Sequence, residues 1–224
     1  MIPFPQKPKI KEEKEKGQIV IEGLWPNYGI TIGNALRRVL LSSIEGCAAT
    51  KVKIKGVPHE FTPIEGVLED ALTICQNIKG LRFKMVGNEP QKVFLKAKGE
   101  GEVKGKDLQL PAQLELVNKN HHLATLTSKK SSLEMEILVE KGVGYLPKEL
   151  MGEEEPGEIF LDAIFSPVKK VAFKVEEMRV GKRTDFNRLI LEIETDGTIS
   201  PKEAFWQACT ILRDQFDFLT KNET

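Results

Sequence analysis

Apolar residues between Ile32 and Glu45 recur at helical spacing along two stripes rather than one. On a helix of about 3.6 residues per turn, Ile32, Ala35, Leu36, Val39, Leu40 and Ser43 share one broad face, and Asn34, Arg38, Leu41 and Glu45 line a second. An ordinary surface helix gives one stripe to its own core and the opposite face to water. A second face that joins Leu41 to an arginine is open to two readings: a solvated helix edge, or a surface covered by another protein. Guanidinium chemistry favours the second, because its planar fork suits carboxylates and carbonyls and arginine is enriched in interface cores. Thr31 stands where a cap would, and the Trp25-Pro26-Asn27-Tyr28-Gly29 run resists helix, so the pattern predicts a helix starting near Thr31.

The rest of the chain alternates between the two periods. Residues 18–24 and 48–55 read as strands, and residues 65–79 as a helix stopped by Gly80. Short strands follow at 82–86, 92–96 and 133–137, then a hairpin of 171–180 and 188–194 around Gly181-Lys182-Arg183-Thr184-Asp185. Ser200, Pro201 and Glu203 form a three-part helix start. The helix they open carries Ala204, Phe205, Trp206, Ala208, Cys209, Ile211, Leu212, Phe216, Phe218 and Leu219, which exceed one stripe. That surplus fits either a helix sunk in its own core or one shared with a second copy. The order of elements predicts an α+β fold dominated by antiparallel sheet.

Composition narrows the function. The 224 residues are 40% hydrophobic and 29% charged, ordinary globular material. With 33 basic and 33 acidic residues the formal charge is zero, so no global field draws the chain to nucleic acid or anionic lipid. Cys47, Cys75 and Cys209 are odd in number and without a CxxC pair, which points to core thiols in a reducing compartment. No apolar run approaches the roughly 18 residues of a membrane span, and the first residues lack the apolar region of a signal peptide, so a cytoplasmic location is expected. Residues 7–16 alternate Lys and Glu and read as a mobile solvated arm.

The run Gly33-Asn34-Ala35-Leu36-Arg37-Arg38-Val39-Leu40-Leu41-Ser42-Ser43, followed by Gly46-Cys47-Ala48, resembles the first long helix of the bacterial RNA polymerase alpha subunit in its amino-terminal assembly domain. The likeness continues through Gly56-Val57-Pro58-His59-Glu60-Phe61, Glu65-Gly66-Val67-Leu68-Glu69-Asp70 and Gly142-Val143-Gly144-Tyr145-Leu146-Pro147. It resumes at Arg179-Val180, Arg183-Thr184-Asp185 and Thr195-Asp196-Gly197-Thr198-Ile199-Ser200-Pro201, and so covers nearly everything from about residue 17 onward. The resemblance implies a dimerisation subdomain of antiparallel strands and two long helices, formed by residues 1–45 and 171–224, with an inserted, mostly antiparallel subdomain at 46–170.

By the same resemblance the chain is a homodimeric scaffold that binds the beta and beta-prime subunits, with no active site of its own. Asn34, Arg38, Leu41 and Glu45 are the expected beta contact, supported by residues 56–70, and the 171–185 hairpin the expected beta-prime contact. Ile32, Leu36, Val39, Leu40, Phe205, Leu212 and Phe216 are the expected dimer interface. The family usually continues into a small helical domain that grips DNA; this sequence stops at Thr224, so no direct DNA contact is expected from it.

Other candidate chemistry is thin. The Gly99–Gly105 run has the wrong spacing for a dinucleotide fingerprint and reads as a turn. His121 and His122 are adjacent, on opposite faces if extended, without further ligands at metal spacing. Glu153-Glu154-Glu155 reads as a solvated acidic loop. No cofactor, metal or small-molecule substrate is expected.

Overall fold

A computed structural model describes residues 2–152 and 157–221, so Glu153-Glu154-Glu155 lies outside the described residues. In chain order the elements are β1 (Lys9–Glu13), β2 (Lys16–Leu24), α1 (Tyr28–Ser42), β3 (Glu45–Ile54), α2 (Ala71–Lys79), β4 (Phe83–Met85), β5 (Gln91–Lys98), β6 (Gly101–Lys104) and β7 (Leu108–Gln109). There follow β8 (Leu114–Leu116), β9 (His122–Leu126), β10 (Ser132–Val143), β11 (Tyr145–Leu146), β12 (Ile159–Phe160), β13 (Ala163–Ile164), β14 (Val168–Val180), β15 (Arg183–Thr195) and α3 (Pro201–Lys221). Every strand pairing is antiparallel, and the fold is α+β. The chain divides into two compact units, Met1–Ile44 with Ser166–Thr224, and Glu45–Phe165. The return to the first unit comes at Ser166 rather than near 171, because β14 already begins at Val168.

In the first unit, four strands in the order β1-β2-β15-β14 form a sheet whose alternate residues face α1 and α3. Ile19, Ile21 and Leu24 from β2, Leu189, Leu191 and Ile193 from β15, Leu36 and Leu40 from α1, and Ala204, Phe205 and Ala208 from α3 make one core. Close approach of α1 to the sheet depends on Gly33, where a Cβ would stand 2.7 Å from the Phe173 ring. α3 opens on the expected box: the Glu203 amide donates to Ser200 Oγ at 3.2 Å, and the Ser200 amide to Glu203 Oε2 at 3.1 Å.

Two expectations fail in this unit. Residues 9–13 are not a mobile arm but a paired strand. Across the outer face of the sheet Glu13, Lys16, Glu194 and Lys170 stand side by side in register, alternating in sign, and Lys9 Nζ reaches Glu22 Oε2 at 2.6 Å. The Lys/Glu alternation that reads as solvated arm in one dimension is a cross-strand charge row in two. α1, moreover, begins at Tyr28, with Asn27 at its N-cap in the left-handed region at φ 69°. Thr31 lies inside the helix, its hydroxyl donating to the Asn27 carbonyl at 3.4 Å, and the donor end is capped from β15 instead: the Gly29 amide donates to Asn187 Oδ1 at 3.2 Å.

The second unit is built on a five-stranded sheet, β12-β3-β10-β5-β7, with two-stranded ribbons β4-β8, β6-β9 and β11-β13. Ala71, Ile74, Cys75 and Ile78 bury the inner face of α2 in a core with Val52, Ile54, Val93, Leu95, Met135 and Ile137. α2 is shorter than the 65–79 expected: Gly66 takes φ +78°, and Asp70 becomes the N-cap, accepting from the Thr73 amide at 2.8 Å. Gly80 ends the helix as expected, yet at φ −76°; a Cβ there would meet the His121 ring, which would have to shift. Of the Gly99–Gly105 run only Gly99-Glu100 is the expected turn, with Gly99 at φ +92°; Gly101–Lys104 is β6, paired with β9.

Candidate interaction surfaces

Four side chains were expected to line the outer stripe of α1. Asn34 and Arg38 do so: both are exposed, and Asn34 Nδ2 donates to the Ile30 carbonyl at 3.1 Å. Arg38 and its neighbour Arg37 make no ion pair or side-chain hydrogen bond with any described residue, so two guanidinium groups stand in water, and two turns earlier on the helix Ile30 is 55% exposed. Leu41 is only half-exposed, leaning on the core, and its carbonyl accepts from Ser166 Oγ at 3.2 Å. Glu45 leaves the stripe altogether. α1 closes at Ser42, where the Ser43 amide returns to the Val39 carbonyl at 2.9 Å, and Glu45 opens β3 with its carboxylate 3.5 Å from Lys141 Nζ.

The residues expected at a dimer seam divide in the same way. Leu36, Leu40 and Phe205 are 3%, 0% and 1% exposed, fully occupied by the core of their own unit. Assigning them to an intermolecular surface is therefore corrected: their area is removed from water before any partner arrives. Ile32, Val39 and Leu212 are half-buried against that core. Phe216 is 63% exposed, and with Leu219 it belongs to the last turns of α3, where every residue from Arg213 onward lies in solvent. Trp206, on an earlier turn, is 45% exposed and packs edge-on against Phe205 at 5.1 Å.

The hairpin of β14 and β15 ends in an exposed tip with Gly181 at φ +62°. Arg183 ties the tip down by stacking 4.5 Å from the Trp25 ring and 5.2 Å from Phe186, while its fork grips Asp185 at 3.0 and 2.6 Å. That fork holds the Asp185 carboxyl below the usual range and pushes the guanidinium further up. Pattern reading missed this anchor, because Trp25 stands far from the turn in sequence and only Phe186 follows it directly.

In the second unit, the segment before α2 exposes Phe61 and Leu68, 69% and 71% accessible, while Glu60 is held by Lys148 at 3.2 Å. The two histidines are both engaged: His121 Nε2 lies 2.9 Å from the Asn77 carbonyl, and His122 sits between Glu69 and Glu102. Burial pushes the Cys75 thiol up to about 12 and the Cys209 thiol up to about 11, which leaves both protonated and unreactive. Among the described residues no helix is long and apolar enough to cross a membrane.

Sequence comparison shows the family. Residues 52–166 match the RNA polymerase Rpb3/RpoA insert domain. This chain is a member of the bacterial RNA polymerase alpha-subunit family. It is 47% identical to the DNA-directed RNA polymerase subunit alpha of Herpetosiphon aurantiacus over 211 residues, 94% of this chain and 64% of the relative. Against the protein of the same name from Aquifex aeolicus it is 46% identical over 205 residues, 91% of this chain and 65% of that one. The chain thus spans just under two thirds of the length of the curated relatives it matches. The Rpb3/RpoA match begins inside β3 and ends at Ser166, so it coincides with the second compact unit.

Proposed function

We propose that the chain is the assembly scaffold of a cytoplasmic DNA-directed RNA polymerase: a homodimer that recruits the beta and beta-prime subunits and performs no chemistry itself. Its relatives carry the name of a polymerase subunit, which supports membership of that enzyme. The observation that carries the dimer is α3, which leaves its own core after Leu212 and still continues to Lys221 with Phe216 and Leu219 in water. Exposed apolar residues on a free helix end fit a second copy best, because a two-fold axis sets each such surface against its duplicate.

The beta subunit takes the outer stripe of α1, with Arg38 as anchor, flanked by Asn34 and Leu41; Glu45 and residues 56–70 supply a separate contact from the second unit. An unpaired guanidinium on a rigid helix suits a partner carboxylate or a cluster of carbonyls. The tip of the β14–β15 hairpin, held by Arg183, takes beta-prime. Sedimentation of the chain alone and with purified beta subunit tests the scheme. A two-copy particle that gains one beta subunit is expected; a monomer indifferent to beta overturns it.

A further inference from the structure

The segment leading into α2 behaves as a short extra strand on β9. The Leu68 amide donates to the Thr125 carbonyl at 2.9 Å, the Thr127 amide to the Gly66 carbonyl at 2.9 Å, and Val67 bridges Leu126. Beside this seam a carboxylate takes over from the backbone. Glu69 Oε2 accepts from the Thr125 amide at 2.6 Å, and Glu69 Oε1 accepts from Thr125 Oγ1 at 3.1 Å while standing 2.8 Å from His122 Nε2. The other ring nitrogen of His122, Nδ1, lies 3.0 Å from Glu102 Oε1 on β6.

An ionised carboxylate only accepts hydrogen bonds, so both contacts exist together only when the imidazole carries two protons. We propose that His122 is a proton-operated clamp, which fastens residues 66–69 and β6 to β9 while the ring is doubly protonated and loosens when one proton leaves. The surrounding charges support this assignment. The hydrogen bond to Glu69 raises the His122 pKa, burial opposes it, and the bond to Glu102 raises it further. Burial alone would raise the Glu69 carboxyl, but the hydrogen bonds from His122 and Thr125 outweigh it and hold the group below its usual range. Glu102 is lowered first by Lys104, whose Nζ is 2.9 Å away, then by His122.

Groups on the packed elements are committed elsewhere. Lys104 faces His122 across the β6-β9 ladder and is taken by Glu102. On α2, Lys79 pairs with Asp162 at 2.9 Å and the Cys75 thiol stays protonated, while Asp70 caps Thr73. His121 is occupied by Asn77. When the ring loses a proton, the N–H that remains cannot serve both carboxylates. Glu102 keeps Lys104 as a partner, so its contact breaks, and the contact to Glu69 falls from a charge-assisted to a neutral hydrogen bond, which weakens the seam of residues 66–69 as well.

The sign follows from the raised folded pKa. The clamp is at full strength below the unfolded value of about 6.5 and fades as pH rises through the higher folded value. Residues 66–69 lie within the segment assigned above to a polymerase partner, so assembly would tighten toward acid; that consequence rests on the scaffold reading, whereas the clamp itself is measured on the chain alone.

The test is an NMR titration of the His122 ring, together with amide exchange of Leu68 and Thr127, on the whole 224-residue chain between about pH 5.5 and 8.5. The wild-type midpoint should exceed that of Glu102→Gln, and that of Glu69→Gln with Glu102→Gln by more. Protection of the two amides, corrected for intrinsic exchange, should fall across the wild-type midpoint by a factor of ten for each pH unit separating it from the double variant. In His122→Gln protection should be flat over the range. Should that variant unfold, Glu102→Gln, altered at a half-exposed position, carries the comparison. Equal midpoints in all forms, or wild-type protection that does not change with pH, would overturn the clamp.

Discussion

Asn187 Oδ1 accepts the Gly29 amide at 3.2 Å, so the first turn of α1 is capped by a side chain 158 residues further along the chain. The contact is buried: Asn187 is 8% exposed. Removing the acceptor strands a helix-end donor away from water, and Asn187→Ala should destabilise the chain by about 1 to 2 kcal/mol in urea unfolding. Asn187→Asp keeps an acceptor and adds negative charge at a helix N-terminus, so it should recover most of the loss. Gly29→Ala places a Cβ 2.7 Å from Val175 Cγ1 and should cost about 1 to 3 kcal/mol by overpacking.

Arg38 offers the cleanest separation of binding from folding. It is exposed and without a partner among the described residues, so Arg38→Ala should leave unfolding midpoints and the sedimentation of the free chain unchanged. If beta buries the guanidinium against a carboxylate or carbonyls, the same variant should lose about 2 to 5 kcal/mol of affinity for beta in a titration. Unaltered affinity removes Arg38 from the contact. Arg38→Lys should recover only part of the loss, because an ammonium lacks the planar fork.

What was legible in the sequence is local. Ser200, Pro201 and Glu203 lie within one turn, and the start of α3 is where they put it. Alternating residues such as Ile19, Ile21, Leu189, Leu191 and Ile193 mark both strands and the face each buries. Two of the failures share a different cause, a partner remote in sequence: the cap of α1 comes from β15, and the shortening of α2 from the pairing of residues 66–69 with β9. Residues 9–13 instead pair with the adjacent β2, where charges that alternate along the chain meet across the strands. Helical periodicity likewise finds apolar stripes without saying what covers them. Leu36 and Phe216 look equally available in sequence, yet one is 3% and the other 63% exposed.

That contrast separates two substitutions on α3. Phe205 is 1% exposed among Leu36-type core residues, so Phe205→Asp loses a large apolar side chain and buries an unpaired carboxylate. It should unfold the first unit, with a loss of about 4 kcal/mol or more. Phe216→Asp sits in solvent in the single chain and should leave its circular dichroism and thermal midpoint nearly unchanged while shifting sedimentation from dimer to monomer. A Phe216→Asp protein that remains dimeric at micromolar concentration excludes the last turns of α3 from the interface.

The charge row across the first sheet makes the order of the first strand depend on salt. Lys16 has Glu13 on one side and Glu194 on the other, and Lys170 follows Glu194. Lys16→Glu sets three carboxylates side by side, with like charges directly opposite at both neighbouring strands. The expected cost is about 0.5 to 1.5 kcal/mol at low ionic strength, summed over two cross-strand pairs. Exposed charges at this spacing are strongly screened at about 1 M salt, so the gap to wild type in urea midpoint should close there. Amide exchange should rise first in residues 9–13, because β1 is an edge strand whose only sheet neighbour among the described residues is β2. If Lys16→Glu instead lowers stability equally at low and high salt, the row is an accident of register, and packing of Ile10 against the core holds the strand in place.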